Sequence, residues 1–338
     1  MSSAAIYGCA GLTLTEDERS FFTDAQPWGF ILFARNCETP DQIRALTQEL
    51  RATVGRDDAP ILIDQEGGRV ARLKPPHWRA RPPMAIFGSL YGQDPARGVE
   101  AARLNARLIA AELTAIGVNV DCLPLLDVPQ SGAHDIIGDR AFSTSPDEIA
   151  TLGRAVMEGL HAGGVLSVIK HIPGHGRALA DSHEELPRVD AAAAELRAVD
   201  FPPFAALKDA PMGMTAHIVY DALDRDRVAT ASPLIVNDII RKEIGFDGLL
   251  MTDDLSMKAL KGDFGDRTRA AVDAGCDVVL HCNGDMPEMQ AIAAAVPALD
   301  GRAAERAAAA LSVLKPADEI IVEEAESRLA NLLAPLVS

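Results

Sequence analysis

The sequence predicts an α/β fold: a (β/α)8 barrel in a single domain, with extra helices at its C-terminal end. Three observations lead there. Short apolar runs recur along the whole chain, eight of them, and each is followed by a helical segment. The runs are continuously hydrophobic and do not alternate, the pattern of strands buried on both faces of a helix-covered parallel sheet. Polar and titratable residues gather just after the runs, at the end where barrel enzymes keep their chemistry. A doubly wound open sheet is the competitor. The lack of a GxGxxG after the first run weakens it. No break in composition divides the chain, so the barrel is expected over about residues 1–298 and the appended helices over about 299–335.

Each element has its own signal. Residues 4–9 form the first strand, and Thr15 with Glu18 three positions on is a capping box for a helix reaching Asp24. Residues 29–33 are the second strand. Pro40 opens a helix with Ile43, Leu46 and Leu50 on one face. The third strand, 59–63, runs into Asp64-Gln65-Glu66-Gly67-Gly68-Arg69, and 74–83 is Pro- and Arg-rich and irregular. A long Ala-rich helix over 96–116 leads to the fourth strand within 118–126. The loop beyond holds Asp127, Asp135, Asp139 and Arg140. After a helix over 146–162, strand five (165–169) meets Lys170-His171-Ile172-Pro173-Gly174-His175-Gly176. A short helix over 202–208 precedes strand six (212–216), which ends at His217. A helical 233–244 precedes strand seven (248–251), which ends at Thr252-Asp253-Asp254. Residues 258–274 begin irregularly and become helical. Strand eight (277–280) ends at His281-Cys282-Asn283, and helices over 287–295 and two Ala-rich stretches carry the chain to Leu333.

Composition narrows the function. Of 338 residues, 48% are apolar and 24% charged, the balance of a globular protein with a real core. No apolar run reaches the roughly 18 residues that span a bilayer. The opening MSSAAIYGCAGL has no basic residue ahead of an apolar stretch and does not read as a signal peptide. Five scattered cysteines without a CxxC read as reduced thiols in a cytoplasmic protein. A net charge of −17 argues against nucleic acid or an anionic membrane as partner. A monomer acting on a small molecule is expected.

The strand ends offer carboxylates on separate strands together with Arg, Lys and His, a set suited to vicinal sugar hydroxyls and to cleaving a glycosidic bond between two flanking groups. Asp253 is a nucleophile candidate held at a strand end. Asp181 and His183 suit proton transfer, because an imidazole titrates near neutrality and a carboxylate nearby orients it. Blander readings stand beside these. His171 and His175 have a metal-pair spacing, but Pro173 and Gly174 prevent the helix that would align them. One of Asp253 and Asp254 is expected to cap the following element. The Asp181–His183 stretch reads, taken alone, as a solvated loop. His217 reads as a core-edge histidine satisfied by backbone, and His161 as a surface residue on its helix.

Lys170-His171-Ile172-Pro173-Gly174-His175-Gly176 followed by Asp181-Ser182-His183 resembles the signature of glycoside hydrolase family 3 β-N-acetylglucosaminidases, in particular the single-domain bacterial type of peptidoglycan recycling. The resemblance extends to Asp64-Gln65-Glu66-Gly67-Gly68-Arg69-Val70, Gly138-Asp139-Arg140-Ala141-Phe142, Thr252-Asp253-Asp254-Leu255-Ser256-Met257 and Ala274-Gly275-Cys276-Asp277, in the family's order. Ile172 stands where Phe is common and Ala141 where Ser is common. The strand-four segment DCLPLLDVP departs furthest, so His134 and Asp135 in its loop are expected to alter leaving-group contacts. The resemblance implies Asp253 as nucleophile and His183 as general acid/base with Asp181 as its partner. It also implies Asp64, Arg72, Arg140, Lys170 and His171 as the residues that hold the non-reducing N-acetylglucosamine. It makes His175 structural, and implies retention through a covalent glycosyl-enzyme without metal or cofactor. The substrate implied is N-acetylglucosaminyl-1,6-anhydro-N-acetylmuramic acid, with or without stem peptide. A β-glucosidase or a phosphorolytic relative, and a non-catalytic sugar-binding barrel, are the alternatives.

Overall fold

Parallel pairing runs unbroken around one sheet: β1 (Ser3–Gly8), β2 (Pro27–Leu32), β3 (Ile61–Ile63), β4 (Val120–Asp121), β5 (Leu166–Ile172), β6 (Met212–Thr215), β7 (Leu249–Asp254) and β8 (Val278–His281). Each pairs with the next in sequence. β8 closes on β1 with Ala5 opposite Val279 and Tyr7 opposite His281, so the sheet is a closed eight-stranded barrel. The computed structural model describes residues 1–132, 135–178 and 186–336. Among these, no helix is long and apolar enough to cross a membrane.

The period-two geometry of strands sorts each strand's side chains between the inside of the barrel and the helices outside. The inside cluster contains Ala4 and Ile6 of β1, Leu62 of β3, Leu166 and Val168 of β5, Met212 and Met214 of β6, Leu249 and Met251 of β7, and Val278 and Leu280 of β8. The outward residues, such as Tyr7, Phe30, Ile61, Ile169 and Leu250, pack with the helices in a second and larger cluster. The helix Gly301–Ser312 seals the strands' N-terminal end. Its Ala307 and Ala310 join Leu299 and Trp28 in the inside cluster, with Ala303, Ala304 and Leu311 packed against it. The segment before it is tied to β1, with Ala4 N–H donating to Pro297 O at 3.0 Å and Leu299 N–H to Ser2 O at 2.8 Å.

Expected helices recur with small shifts, including Glu16–Ala25 with its Thr15–Glu18 capping box, Pro40–Val54, Pro95–Thr114 and Pro146–Ala162. Among the described residues, the α-helices Met84–Gln93 and Ala193–Val199 lack a sequence expectation. The fourth strand is only Val120–Asp121, because the backbone beyond it meets Pro124, which has no N–H to give. His161 does not lie on the surface. It is half-buried, its Nε2 is 3.0 Å from Ser167 Oγ, and burial pushes its pKa down to about 4.

Candidate active site

The inward rows explain where the chemistry sits. On β5 the row reads Leu166, Val168, Lys170; on β7 it reads Leu249, Met251, Asp253; on β3 it runs from Leu62 to Asp64. In each of these three rows the last member is charged, above lower layers that are apolar. A cavity of about 390 Å³ opens above these charged residues. Its lining includes Asp64, Arg72, Arg140, Lys170, His171 and Asp253. These are six of the eight residues expected at the site. The other two, Asp181 and His183, lie outside the described residues, as does His134.

The sugar-binding candidates form one ionic network. Lys170 is 2% exposed, and its Nζ lies 2.9 Å from Asp64 Oδ1 and 2.6 Å from Glu66 Oε1. Arg140 forks onto Glu66, Nε to Oε2 at 2.9 Å and the second nitrogen to Oε1 at 2.8 Å. Arg72 donates to Asp64 Oδ2 at 3.0 Å and lays its guanidinium over the Phe33 ring at 4.8 Å. Burial alone would raise the Asp64 and Glu66 carboxyls. Lys170 and Arg72 outweigh it at Asp64, and Lys170 and Arg140 at Glu66, so both stay ionised, with Glu66 brought down to about 2. Burial likewise opposes the Lys170 charge, and Asp64 and Glu66 overcome it and raise its pKa.

Glu66 was not among the expected site residues. The signal was present: Asp64 and Glu66 are two apart in extended chain and so share a face. The short hairpin of Gln65–Gly67 and Val70–Ala71 presents it. Gln65 staples that hairpin by accepting from Arg72 N–H at 2.8 Å and Leu73 N–H at 3.0 Å. Its turn needs glycine, since Gly67 and Gly68 have φ of 96° and 55°, and a Cβ on Gly67 would stand 2.4 Å from Pro82 O.

Asp127 is the second residue that sequence reasoning did not place. It is fully buried; its Oδ2 is 2.7 Å from His171 Nδ1, and its Oδ1 accepts from the His171 and His175 amides at 3.2 and 2.6 Å. The carboxylate therefore fixes the His171 ring with Nε2 as its remaining nitrogen. Burial would raise Asp127, but His171 holds it below the ordinary value. His175 lies against His171 with ring centroids 5.5 Å apart, and burial, then the His171 charge, lower its pKa to about 4.

Around Asp253, the neighbouring Asp254 does the capping. Its Oδ1 accepts from Ser256 N–H at 3.0 Å and Cys282 N–H at 3.1 Å, and its Oδ2 accepts from Ser256 Oγ–H at 2.5 Å. Asp253 Oδ1 accepts from Asp254 N–H at 2.8 Å and is thereby oriented at the cavity wall. His217 does not line the cavity. It is fully buried just beyond the end of β6, and its hydrogen-bond partners are one backbone carbonyl and one hydroxyl.

Residues 8–315 match the family described as glycosyl hydrolase family 3 N terminal domain. A β-hexosaminidase of Methylococcus capsulatus (strain ATCC 33009 / NCIMB 11132 / Bath) is 40% identical over 303 residues, covering 88% of this chain and 87% of its own. A β-hexosaminidase of Chromobacterium violaceum is 39% identical over 301 residues, covering 88% and 83%. The crystal structure of native NagZ from Neisseria gonorrhoeae superposes with a TM-score of 0.87 at 31% identity over 98% of each chain. The same enzyme in complex with N-trifluoroacetyl-D-glucosamine gives 0.87 at 30% identity, again over 98% of each. The chain belongs to glycosyl hydrolase family 3 and is a glycosidase of the β-N-acetylhexosaminidase kind.

Proposed function

We propose that this family 3 enzyme removes non-reducing terminal N-acetylglucosamine from muropeptides by a retaining double displacement. Asp253 attacks the anomeric carbon while His183, paired with Asp181, protonates the departing oxygen. Water deprotonated by His183 then releases the sugar from Asp253. The observation that carries the reading is the convergence of Asp253 with Asp64, Arg72, Arg140, Lys170 and His171 on one cavity of about 390 Å³.

The network suits this work because its charges are already arranged. Asp64 is held by Lys170 and Arg72 on its two oxygens, so a hydroxyl that meets it meets a fixed carboxylate, and the site does not have to reorganise as charge develops on the ring. His171, steered by Asp127, offers a second fixed partner. Hydroxyl contacts that tighten in the transition state raise turnover and not merely binding.

The substrate proposed is N-acetylglucosaminyl-1,6-anhydro-N-acetylmuramic acid, with or without peptide, from cell-wall turnover. Similarity to proteins named NagZ and β-hexosaminidase supports it. The reading places a monomer in the cytoplasm, where five free thiols stay reduced. Hydrolysis of a chromogenic N-acetyl-β-glucosaminide, run beside the matching glucoside and with and without phosphate, tests the reading. Faster release from the glucoside, or a sugar phosphate as product, overturns it. Release of N-acetylglucosamine from the anhydro-disaccharide, followed by mass spectrometry, tests the aglycone.

A further inference from the structure

His217 lies two residues beyond β6, and the proposed site makes no direct use of it. It sits two residues past Thr215, in irregular backbone, with its ring against Thr230 of the turn Ala229–Ala231. It is completely buried there. Its Nε2 is 3.0 Å from the Asp254 carbonyl oxygen and its Nδ1 is 2.8 Å from Thr230 Oγ1. A carbonyl only accepts, so Nε2 carries a hydrogen. Burial lowers the ring's pKa and favours the neutral form, in which Nδ1 accepts from the Thr230 hydroxyl. That hydroxyl is also 3.1 Å from Ala216 O, the longer of these two contacts, and stands 2.7 Å from Thr215 Oγ1.

The other side of the Asp254 residue completes the chain. Its carbonyl takes the His217 hydrogen bond, its carboxylate is tied to Ser256 and Cys282, and its N–H donates to Asp253 Oδ1. With its carbonyl and its carboxylate both anchored, Asp254 is held in place, and its N–H keeps its direction toward the Asp253 carboxylate.

We propose that His217 is a positioning residue: with Thr230 setting its tautomer, it holds the carbonyl on the far side of Asp254 and so steadies the backbone of that residue, whose N–H aims Asp253 at the anomeric carbon. The inference rests on the reading of Asp253 as nucleophile. The sugar itself is held by other strands, so loss of that support misdirects the attacking carboxylate and leaves sugar binding alone. Small misplacement of a reacting group costs on the order of 100-fold in rate.

The test compares His217→Phe, which keeps a ring but no donor, with His217→Gln, whose amide can donate to the same carbonyl. Three quantities are read: kcat on a chromogenic N-acetyl-β-glucosaminide, inhibition by free N-acetylglucosamine, and the thermal midpoint. The expected result is a kcat about 100-fold lower for His217→Phe, most of it restored in His217→Gln, with inhibition by the sugar unchanged in both. Full turnover in His217→Phe overturns the proposal. So does a His217→Gln as slow as the Phe variant, or sugar affinity falling in step with kcat, which is what a merely structural histidine would give. Asp253→Asn separates the two readings. If it is inactive while His217→Phe turns over normally, only the positioning role fails. If it remains active, the nucleophile assignment fails first.

Discussion

The two ends of the barrel are built from the same strands and solve opposite problems. At the N-terminal end, Trp28, Leu299, Ala307 and Ala310 fill the opening with apolar side chains, and the helix Gly301–Ser312 lies across it. At the C-terminal end the same inward rows finish in Asp64, Lys170 and Asp253, and a cavity stays open above them. One end gains stability from burying apolar surface, about 25 cal/mol per Å². The other holds buried ions that add little net stability and are strongly destabilising when one partner is removed. The difference teaches that stability and chemistry are separated along the strand axis, two residues apart on the rows that end in Asp64, Lys170 and Asp253.

The sharpest way to break this comparison is at Asp253. Asp253→Asn is expected to lower kcat by about 10⁴-fold while the thermal midpoint stays close to the parent's. A protein that unfolds instead would show the upper end to be structural. Next comes Glu66, whose removal leaves Lys170 and Arg140 each short of a counter-charge. Glu66→Ala is expected to cost about 3–5 kcal/mol in urea unfolding and also to raise KM. Stability lost with KM unchanged would remove Glu66 from the sugar site.

Ala307→Leu probes the closed end. Overpacking there is expected to cost about 1–3 kcal/mol, read by urea unfolding, with kcat and KM unaltered. A changed KM would show that the two ends are coupled. The smallest effect is in acid. Asp64 and Glu66 have folded pKa values below their ordinary values of 3.8 and 4.5, so their contribution to stability is present above that range and lost as pH falls through the folded values. Unfolding free energy is expected to decline from about pH 4.5 downward and to decline less steeply in Glu66→Gln. Equal slopes in the two proteins would place the acid-sensitive carboxylates elsewhere.

Most of the barrel was legible because its strands are uninterrupted apolar runs, and 212–216 and 277–280 lie within a residue or two of β6 and β8. The helix Met84–Gln93 was not. It has no charged residue and two glycines, and its Gly88 is there for a close approach: a Cβ would sit 1.7 Å from Phe142 O. Such packing has no periodic signature. In the site, Asp64 and Lys170 were legible as polar residues ending apolar rows. Asp127 was visible only as a loop carboxylate, since its pairing with His171 joins positions 44 apart in sequence, which no local pattern encodes. His217 was expected to be satisfied by backbone. That is half of what it does, and Thr230 supplies the other half.

The sealing helix also bears on how the chain reaches its fold. Ala5 pairs with Val279, and the inside layer that holds Ala4 and Ile6 is not complete until Leu299, Ala307 and Ala310 join it. During synthesis, β1 emerges with an unpaired edge and a bare apolar face, and both wait for nearly the whole barrel to follow. Long-range pairing of this kind makes folding slow and leaves partly built species prone to aggregate. Shortening the chain before Gly301 should therefore show first as lost yield of folded protein, with the chemistry at the far end intact in whatever molecules close.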